Sequence, residues 1–484
     1  MRCSPGISAA VFCLFAVAAG APASAAEVAR KPNIILIMTD DQGYGDLACH
    51  GNPHIKTPNL DRLYRESTRL TDFHVSPTCS PTRSALMTGR HEFFNGVTHT
   101  ILERERMTLK ATTLPQVLKS AGYTTGIFGK WHLGDEDAYQ PGQRGFDEVF
   151  IHGGGGIGQT YAGSCGDAPG NRYFDPVIRH NGTFTKTQGY CTDVFFRHAI
   201  RWMDSVKGKA PFFCYIPTNA PHGPLDCPPG SEKPYAGKVP PDVARFYGMI
   251  ANIDENIGRL LDQIKQWGLE QETLLIFMTD NGTATGDKVF NAGMRGQKGT
   301  PYRGGTRVPS LWRWPGTIQE GADVALLTCH WDILPTLADL SGVKLDGPLA
   351  EQVQGRSLVP LLKDPQANWP VRTFVTHVGR WASGKAADSQ YAHGAIYDGH
   401  WQLVFHRGKT ELFDVQNDPR EKTDVSAEHA DVVKRLRENY DRWWNEVLPC
   451  LENENAVGPK VNPFKAAYWK QFEGGGPNNA PPKR

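Results

Sequence analysis

Oxygen-bearing side chains follow two short apolar segments of the chain. Asp40 and Asp41 follow the run NIILIM at residues 33–38, and Asp280 and Asn281 follow LLIFMT at residues 274–279. Three carboxylates and an amide oxygen are hard ligands, which suit Ca²⁺ or Mg²⁺ better than a soft metal. Each acidic pair taken alone has an ordinary explanation, because such residues are common in loops and helix caps. If the two segments meet at one rim of a sheet, they predict a divalent cation site.

Cationic side chains lie in three turn-rich segments. Lys130 and His132 stand in GKWHLG, His222 stands in NAPH, and Lys298 stands in QKGTPY. A single lysine is normally a solvated surface residue, and a single histidine is usually a structural one. Gathered at one site, they could instead hold an anion and transfer protons.

The most specific motif is CSPTRSALMTGR at residues 79–90. Its ordinary explanation is a buried thiol before a turn, and a C-x-P-x-R match alone would be unremarkable. The full stretch resembles the signature of the type I, formylglycine-dependent sulfatases, arylsulfatase-like members of the alkaline phosphatase superfamily. In that family a maturation enzyme oxidises the cysteine, here Cys79, to Cα-formylglycine during export. The resemblance runs from residue 31 to about residue 448.

The resemblance implies nucleophilic catalysis with its own release step. The aldehyde hydrates to a geminal diol, and one hydroxyl attacks sulfur while the alcohol departs. The second hydroxyl then loses its proton, the carbonyl re-forms and inorganic sulfate is expelled. The implied ligands of the cation, expected to be Ca²⁺ with Mg²⁺ as the alternative, are Asp40, Asp41, Cys79, Asp280 and Asn281. The cation would polarise the sulfate and activate the nucleophile.

The same resemblance assigns roles to the cationic residues. Arg83 would hold the formylglycine region, and Lys130 and Lys298 would bind sulfate oxygens. His132 would take the proton from the second hydroxyl, and His222 would assist the leaving oxygen. These roles predict a sulfuric ester hydrolase.

Arg303 departs from the family pattern. Related sequences often carry an acidic residue before the paired glycines at 304–305, and this chain carries a basic one. We expect Arg303 to contact the substrate on an open rim. Glycine-rich residues 153–156, polar residues 171–173, Arg307, His377 and Arg380 would share that rim. Such a polar surface favours a sulfated carbohydrate over a steroid, which needs a continuous apolar wall.

The elements that must position these residues indicate an α/β fold. Apolar runs at residues 33–38, 124–129, 212–216 and 274–279 are typical of buried strands. An apolar stripe from residue 243 to residue 267 predicts an amphipathic helix. Ligands of such folds bind beyond the carboxyl ends of the strands. We therefore expect an alkaline-phosphatase-like large sheet flanked by helices, and a smaller C-terminal antiparallel sheet plus helix.

Four segments are predicted along the chain. Residues 1–26 resemble a signal peptide, residues 27–365 form the catalytic domain, residues 366–457 form the smaller domain, and residues 458–484 form a flexible tail. The protein is expected to be exported, periplasmic or secreted. Cys165 and Cys191 flank a loop-rich segment and are candidates for a disulfide.

Composition restricts the possible partners. Of 484 residues, 39% are hydrophobic and 21% are charged, and the net charge is +1. A nearly neutral chain has no general attraction for nucleic acid or anionic lipid. No apolar run is long enough for a membrane anchor. The expected partners are a small sulfate ester and the maturation enzyme.

Two alternatives remain open from the sequence. A phosphodiesterase or phosphonate monoester hydrolase of the same superfamily could use the same residues on a similar tetrahedral anion. A non-catalytic, sulfatase-like carbohydrate-binding protein is the second alternative. Parallel assays with an aryl sulfate, an aryl phosphate and a phosphonate monoester would separate the three.

Overall fold

A ten-stranded mixed sheet contains the apolar runs identified in the sequence. The structure is a computed structural model and describes residues 1, 6, 31–159 and 166–473. Its strands are β1 (Asn33–Thr39), β2 (Thr68–Leu70), β3 (Phe73–His74), β4 (Thr124–Lys130), β5 (Glu148–His152), β6 (Val177–His180), β7 (Thr183–Lys186), β8 (Phe212–Pro217), β9 (Thr273–Thr279), β10 (Ser310–Arg313), β11 (Asp323–Val324), β12 (Thr328–Cys329), β13 (Phe374–His377), β14 (His393–Tyr397), β15 (Trp401–His406) and β16 (Lys409–Asp414).

Helices of four to twenty-six residues connect and cover the strands. They are α1 (Pro58–Arg65), α2 (Cys79–Thr88), α3 (Leu114–Ser120), α4 (Cys191–Val206), α5 (Pro241–Gln266), α6 (Arg303–Thr306), α7 (Ile333–Leu340), α8 (Gly347–Gln352), α9 (Val359–Lys363), α10 (Ala430–Val447) and α11 (Pro463–Gln471). The predicted amphipathic helix is α5, which begins at a proline, as helices often do.

The strand order of the large sheet is β11-β2-β10-β9-β1-β8-β4-β5-β6-β7. The five central strands, from β9 to β5, run parallel to one another. Their carboxyl ends therefore lie along the same edge, where open α/β sheets bind ligands. The outer pairs β9 with β10 and β5 with β6 are antiparallel.

Alternate residues of β1 enter two different cores, because successive strand side chains point to opposite faces. Ile34, Leu36 and Met38 pack in a core that also contains side chains of α2, α3 and α7. Ile35 and Ile37 pack in a second core with side chains of α1, α4 and α5. Helices thus cover both faces, as the unbroken apolar strands predicted.

A four-stranded antiparallel sheet, β13-β14-β15-β16, follows the large sheet in the chain. Leu436 and Tyr440 of α10 pack with buried side chains of this sheet, including Leu403 and Leu412. The predicted fold class is therefore confirmed, whereas the domain boundaries stay predictions. No helix in the described ranges is long and apolar enough to span a membrane.

The C-terminal residues differ in part from the expected flexible tail. Residues 463–471 form α11, with Phe464 and Tyr468 buried, and both rings pack edge-on against Phe184. The polar and small residues of this segment predicted disorder, but burial of the two aromatic side chains stabilises the helix. Residues 474–484, most of the proposed signal peptide and Cys165 lie outside the described residues. The Cys191 thiol donates a hydrogen bond to Asn219 Oδ1 at 3.4 Å.

Candidate active site

The two acidic pairs meet at one edge of the sheet. Thr39 of β1 pairs in register with Thr279 of β9, so Asp40 and Asp280 follow at neighbouring positions. Both side chains are fully buried. The Asp41 backbone N–H donates to Asp280 Oδ1 at 3.2 Å, which ties the two strand ends together.

Helix α2 brings Cys79 and Arg83 to the same edge. Cys79 is its first residue, and Arg83 lies about one turn later on the same face. Ligand atoms of Asp40, Cys79 and Asp280 all lie within 4.8 Å of one another. Arg83 donates to Asp280 Oδ2 through Nε at 3.2 Å and Nη2 at 2.8 Å, and to the Lys130 carbonyl at 3.0 Å.

The buried charges change the ionisation of the carboxylates. Burial alone would raise the pKa of Asp40, but Lys130, His222 and Arg83 hold it well below its usual range. Burial and the nearby Asp40 raise the pKa of Asp280, against the opposing effect of Arg83. Two carboxylates this close repel each other, so the cluster favours a cation that neutralises both.

The donor set fits a hard divalent cation. Asp40 Oδ1 and Asn281 Oδ1 are buried and have no hydrogen-bond partner among the described residues. The Asn281 amide nitrogen donates to Asp41 Oδ1 at 3.0 Å and to the Gly282 carbonyl at 3.0 Å, which leaves its oxygen for a ligand. Asp41 has a φ of 67°, an uncommon conformation for a residue with a side chain and one often found at functional sites.

Two lysines contact this carboxylate cluster. Lys130 Nζ contacts Asp40 Oδ2, and Lys298 Nζ contacts Asp41 Oδ1. Burial disfavours the charge on Lys130, but Asp40 and the Cys79 position outweigh it and raise its pKa. The pKa of Lys298 is raised by the same balance, with Asp41 as the main opposing charge. Both lysines are therefore ammonium ions beside Cys79, as anion binding requires.

His132 is held in a defined tautomer. Its Nε2 lies 2.9 Å from the Thr100 carbonyl, which can only accept, so Nε2 carries the proton. Its buried Nδ1 has no partner among the described residues. Burial and the nearby Lys130 hold its pKa well below its usual range. His132 is therefore neutral, with a free lone pair at Nδ1.

His222 lies beside Asp40 and Asp41. Its Nδ1 lies 2.7 Å from the Gly223 carbonyl, and its Nε2 lies 3.7 Å from Asp41 Oδ2. The Tyr173 hydroxyl lies 2.9 Å from the Asn219 carbonyl and 2.6 Å from the His222 carbonyl. A Cβ on Gly156 would lie 2.8 Å from His222 Nδ1. Tyr173 thus holds the backbone of residues 219–222, named here the His222 loop, and Gly156 leaves the space that the imidazole occupies.

Arg303 does not lie on an open rim, so this expectation was wrong. Its side chain is buried and donates to Asp72 Oδ1 at 2.7 Å, while the guanidinium lies 5.3 Å from the centre of the Tyr397 ring. The basic residue is explained by this buried carboxylate. His377 is also buried, with its Nε2 3.0 Å from the Ser389 carbonyl.

Three residues beside the site were not identified as site residues from the sequence. Tyr173 was expected on a polar rim, but it is fully buried. Gly156 was interpreted as part of a flexible stretch, although it packs on His222. His152 is the register partner of Lys130 at the end of the adjacent strand. Its position at the end of an apolar strand was the available signal, similar to the one that identified Asp40 just after β1.

Comparisons with known proteins agree with this geometry. The family model described as Sulfatase matches residues 32–343, and the model described as N-sulphoglucosamine sulphohydrolase, C-terminal, matches residues 297–445. Human (Homo sapiens) arylsulfatase A is 34% identical over 389 residues, covering 72% of this chain and 70% of the relative. Human N-acetylgalactosamine-6-sulfatase is 32% identical, covering 71% and 67%.

A solved structure extends the similarity over most of the chain. The crystal structure of Ps i-CgsB superposes with a TM-score of 0.78 at 27% identity, covering 92% of this chain and 99% of that one. The Sulfatase model alone covers more than half of the 484 residues. This chain belongs to the sulfatase family of the alkaline phosphatase superfamily and is a sulfuric ester hydrolase.

Proposed function

We propose that this enzyme hydrolyses sulfate esters of carbohydrates, with formylglycine derived from Cys79 as the nucleophile and Ca²⁺ as the bound cation. One observation carries the proposal: the ligand atoms of Asp40, Cys79 and Asp280 converge within 4.8 Å, and three cations contact this acidic group, Arg83 at Asp280, Lys130 at Asp40 and Lys298 at Asp41. The carboxylates suit a cation, and the lysines suit the sulfate oxygens.

The environment of Cys79 disfavours direct use of its thiol. The side chain is buried, and burial raises its pKa even though Lys130 and Lys298 lie nearby. A neutral thiol is a poor nucleophile at neutral pH. Formylglycine at this position would supply a hydroxyl nucleophile through hydration of its aldehyde. The proposal therefore includes a formylglycine-generating maturation enzyme as a partner.

Asp40, Asp41, Asp280 and Asn281 would hold the cation together with residue 79. When bound, the cation would supply Lewis-acid polarisation of the sulfate group and a lower pKa for the nucleophilic hydroxyl. The two oxygens without partners, Asp40 Oδ1 and Asn281 Oδ1, support this assignment. Ca²⁺ is preferred because it accepts several oxygen ligands in flexible geometry, whereas Mg²⁺ demands an octahedron and retains waters.

The two histidines differ in what they can do. His132 can accept a proton at Nδ1, since the Thr100 carbonyl fixes the other nitrogen as a donor. His222 Nδ1 donates to the Gly223 carbonyl, so Nε2 is the atom left for the departing oxygen, and it donates a proton there as the imidazolium, which Asp41 at 3.7 Å favours. We assign proton acceptance to His132 and assistance of the departing alcohol to His222.

A carbohydrate substrate is supported by the relatives. N-acetylgalactosamine-6-sulfatase is named for a sugar sulfate, and Ps i-CgsB has been crystallised with k-i-k-neocarrahexaose. Arg303 and His377 are buried and do not form a polar rim, so the support for a sugar substrate comes from the relatives.

A substrate panel tests the proposed function. Purified enzyme is assayed with sulfated monosaccharides and oligosaccharides, a steroid sulfate, 4-nitrocatechol sulfate, an aryl phosphate and a phosphonate monoester. We expect the highest kcat/KM on a sulfated sugar. Preference for the steroid sulfate would refute the carbohydrate assignment, and preference for phosphonate would contradict the proposed reaction.

We also propose export to the periplasm or the medium. The support is the pattern of residues 1–26, in which Arg2 precedes an apolar run and the small residues Ala23, Ser24 and Ala25. Fractionation of expressing cells, with N-terminal sequencing of the exported protein, tests this. Full-length protein confined to the cytoplasm would refute it.

A further inference from the structure

A cleft of about 640 Å³ lies apart from the catalytic centre. Its lining comes from three parts of the chain: His91, Trp331 and residues 354 and 356; residues 371–373 and 375; and Asp398 with residues of α10. None of the proposed catalytic or metal-binding residues lines it. The ten-residue helix α2 has Cys79 at its first position, and His91 follows its other end. Such a helix is roughly 14 Å long, which separates the cleft from Cys79.

Arginines dominate the charge of this cleft. Its lining includes Arg356, Arg372, Arg435 and Arg442 against two carboxylates, Asp398 and Glu446. Arg372 is bound to Asp332, outside the lining, and Arg435 is bound to Asp398.

Two of these guanidinium groups remain uncompensated. Arg356 donates to the Pro370 carbonyl, and Arg442 donates to Asn439 Oδ1 at 3.4 Å. Neither has a carboxylate within 4.0 Å among the residues that the structure describes. Against the one carboxylate of Glu446, these two arginines leave the cleft with a net positive charge, and both lie outside the ion pairs that hold Arg372 and Arg435.

The rest of the lining offers groups that suit a sugar. Trp331 and Trp443 are part of the wall, and Gln354 and Asn439 supply amide groups. The indole N–H groups of both tryptophans are buried and have no acceptor among the described residues. Val371, which is 84% exposed, adds an apolar contact. Aromatic and apolar surface with a few polar groups is typical of carbohydrate and other small-ligand sites.

We propose that this cleft, named here the Arg356–Arg442 cleft, is a second, non-catalytic binding site for an anionic oligosaccharide. Guanidinium groups match sulfate and carboxylate oxygens in a forked geometry, and the tryptophans and amides would contact the sugar rings and hydroxyls. The choice of a sugar rests on the proposed carbohydrate substrate. A polymer bound here would raise the local concentration of its other sulfated residues around the catalytic centre.

The test uses the full chain with Cys79→Ala, which binds without turnover. A chondroitin-6-sulfate hexasaccharide is the probe, and binding is followed by calorimetry and by hydrogen exchange of peptides covering residues 371–375 and 435–446. We expect slower exchange in both segments. Adding Arg356→Ala and Arg442→Ala should abolish this protection and raise the Kd of the hexasaccharide for the cleft at least about tenfold.

The matched control removes two exposed arginines of α4, Arg197→Ala and Arg201→Ala, and should leave the protection intact. If the double variant misfolds, Arg442→Ala alone, exposed on α10, should still weaken binding about threefold. Protection that survives loss of both arginines, or that is confined to catalytic-site peptides, would overturn the proposal. Equal protection by inorganic sulfate would reduce the cleft to a site for a free anion and would also overturn it.

The outcome for the cleft is separable from that for the proposed function. The Arg356→Ala, Arg442→Ala enzyme, made without the Cys79→Ala change, should retain its kcat/KM on 4-nitrocatechol sulfate, because that substrate is too small to occupy the catalytic centre and the cleft at once. Absence of hexasaccharide turnover with cleft protection retained would count against the proposed substrate alone. Turnover without cleft protection would count against the cleft alone.

Discussion

Replacing Arg83 with methionine tests whether the buried charges at the strand ends depend on one another. The guanidinium is 1% exposed, makes two hydrogen bonds to Asp280 and lies 3.8 Å from Asp40. Methionine keeps much of the apolar stem but leaves Asp280 buried without its closest positive charge. Breaking one side of a buried ion pair costs about 3–5 kcal/mol. We expect Arg83→Met to lower the free energy of unfolding by that amount.

The same substitution should also raise the pKa of Asp280 further, since Arg83 is the main group that lowers it. A protonated Asp280 is a poor ligand, so we expect loss of bound cation and of activity. Urea denaturation measures the stability, and elemental analysis measures the cation content.

Arg372→Met is the matched control for Arg83→Met. Arg372 Nη1 lies 2.7 Å from both carboxylate oxygens of the buried Asp332, and neither residue belongs to the proposed catalytic site. This variant should lose comparable stability, about 3–5 kcal/mol, yet retain its cation and its aryl sulfatase activity when folded. The reasoning is refuted if Arg83→Met keeps its stability within about 1 kcal/mol, or if both variants lose the cation equally.

Three further predictions concern His222, the contact of Tyr173 with the His222 loop, and the buried carboxyl group of Glu105. His222→Ala should reduce kcat/KM on sugar sulfates about tenfold more than on activated aryl sulfates, because poor leaving groups need the proton donor. Tyr173→Phe should reduce kcat/KM on sugar sulfates about three- to tenfold by releasing the His222 loop, a loss of about 1 kcal/mol. Burial and the nearby Asp135 raise the pKa of Glu105 to about 8. The protonated side chain therefore stabilises the folded protein, and this effect is complete below the pKa that Glu105 has in the unfolded chain. This stability, up to about 5 kcal/mol, is lost as the pH rises from about 4.5 to about 8, and Glu105→Gln should flatten that decline in urea midpoints.

Each of these predictions has a contrary result. Equal losses on good and poor leaving groups in His222→Ala would contradict its role at the leaving oxygen. Tyr190→Phe is the control for Tyr173→Phe, because its hydroxyl contacts the Asp226 carbonyl instead of the His222 loop. If Tyr173→Phe and Tyr190→Phe reduced kcat/KM equally, the effect would come from a general loss of packing and not from the His222 loop. A pH profile unchanged in Glu105→Gln would show that this carboxyl does not cause the decline.

Local sequence was sufficient to locate the strand ends and most of the proposed site. Asp40 and Asp280 follow strands whose apolar character predicted burial on both faces, and parallel pairing then places them side by side. Cys79 and Arg83 were found because residues 79–90 resemble the sulfatase signature, and their separation of about one helical turn places them on one face of α2. These features depend on short segments, so a single sequence predicts them.

Residues whose position depends on distant partners were harder to predict. Arg303 stands beside Asp72, 231 positions earlier in the chain, and that partner decides that Arg303 is buried. Tyr173 contacts a loop 46 and 49 positions later. No local pattern distinguishes such a buried hydroxyl from one on a polar surface. The sequence therefore identified the residues expected to do the chemistry more readily than those that hold them.

The mass of residue 79 in active enzyme tests the central claim most directly. Exported protein is digested, and the peptide that contains residue 79 is examined by mass spectrometry alongside turnover of 4-nitrocatechol sulfate. We predict formylglycine in place of cysteine, in a fraction that rises in proportion to specific activity across preparations made with and without the maturation enzyme. Full activity in protein whose Cys79 is entirely unmodified would contradict the account.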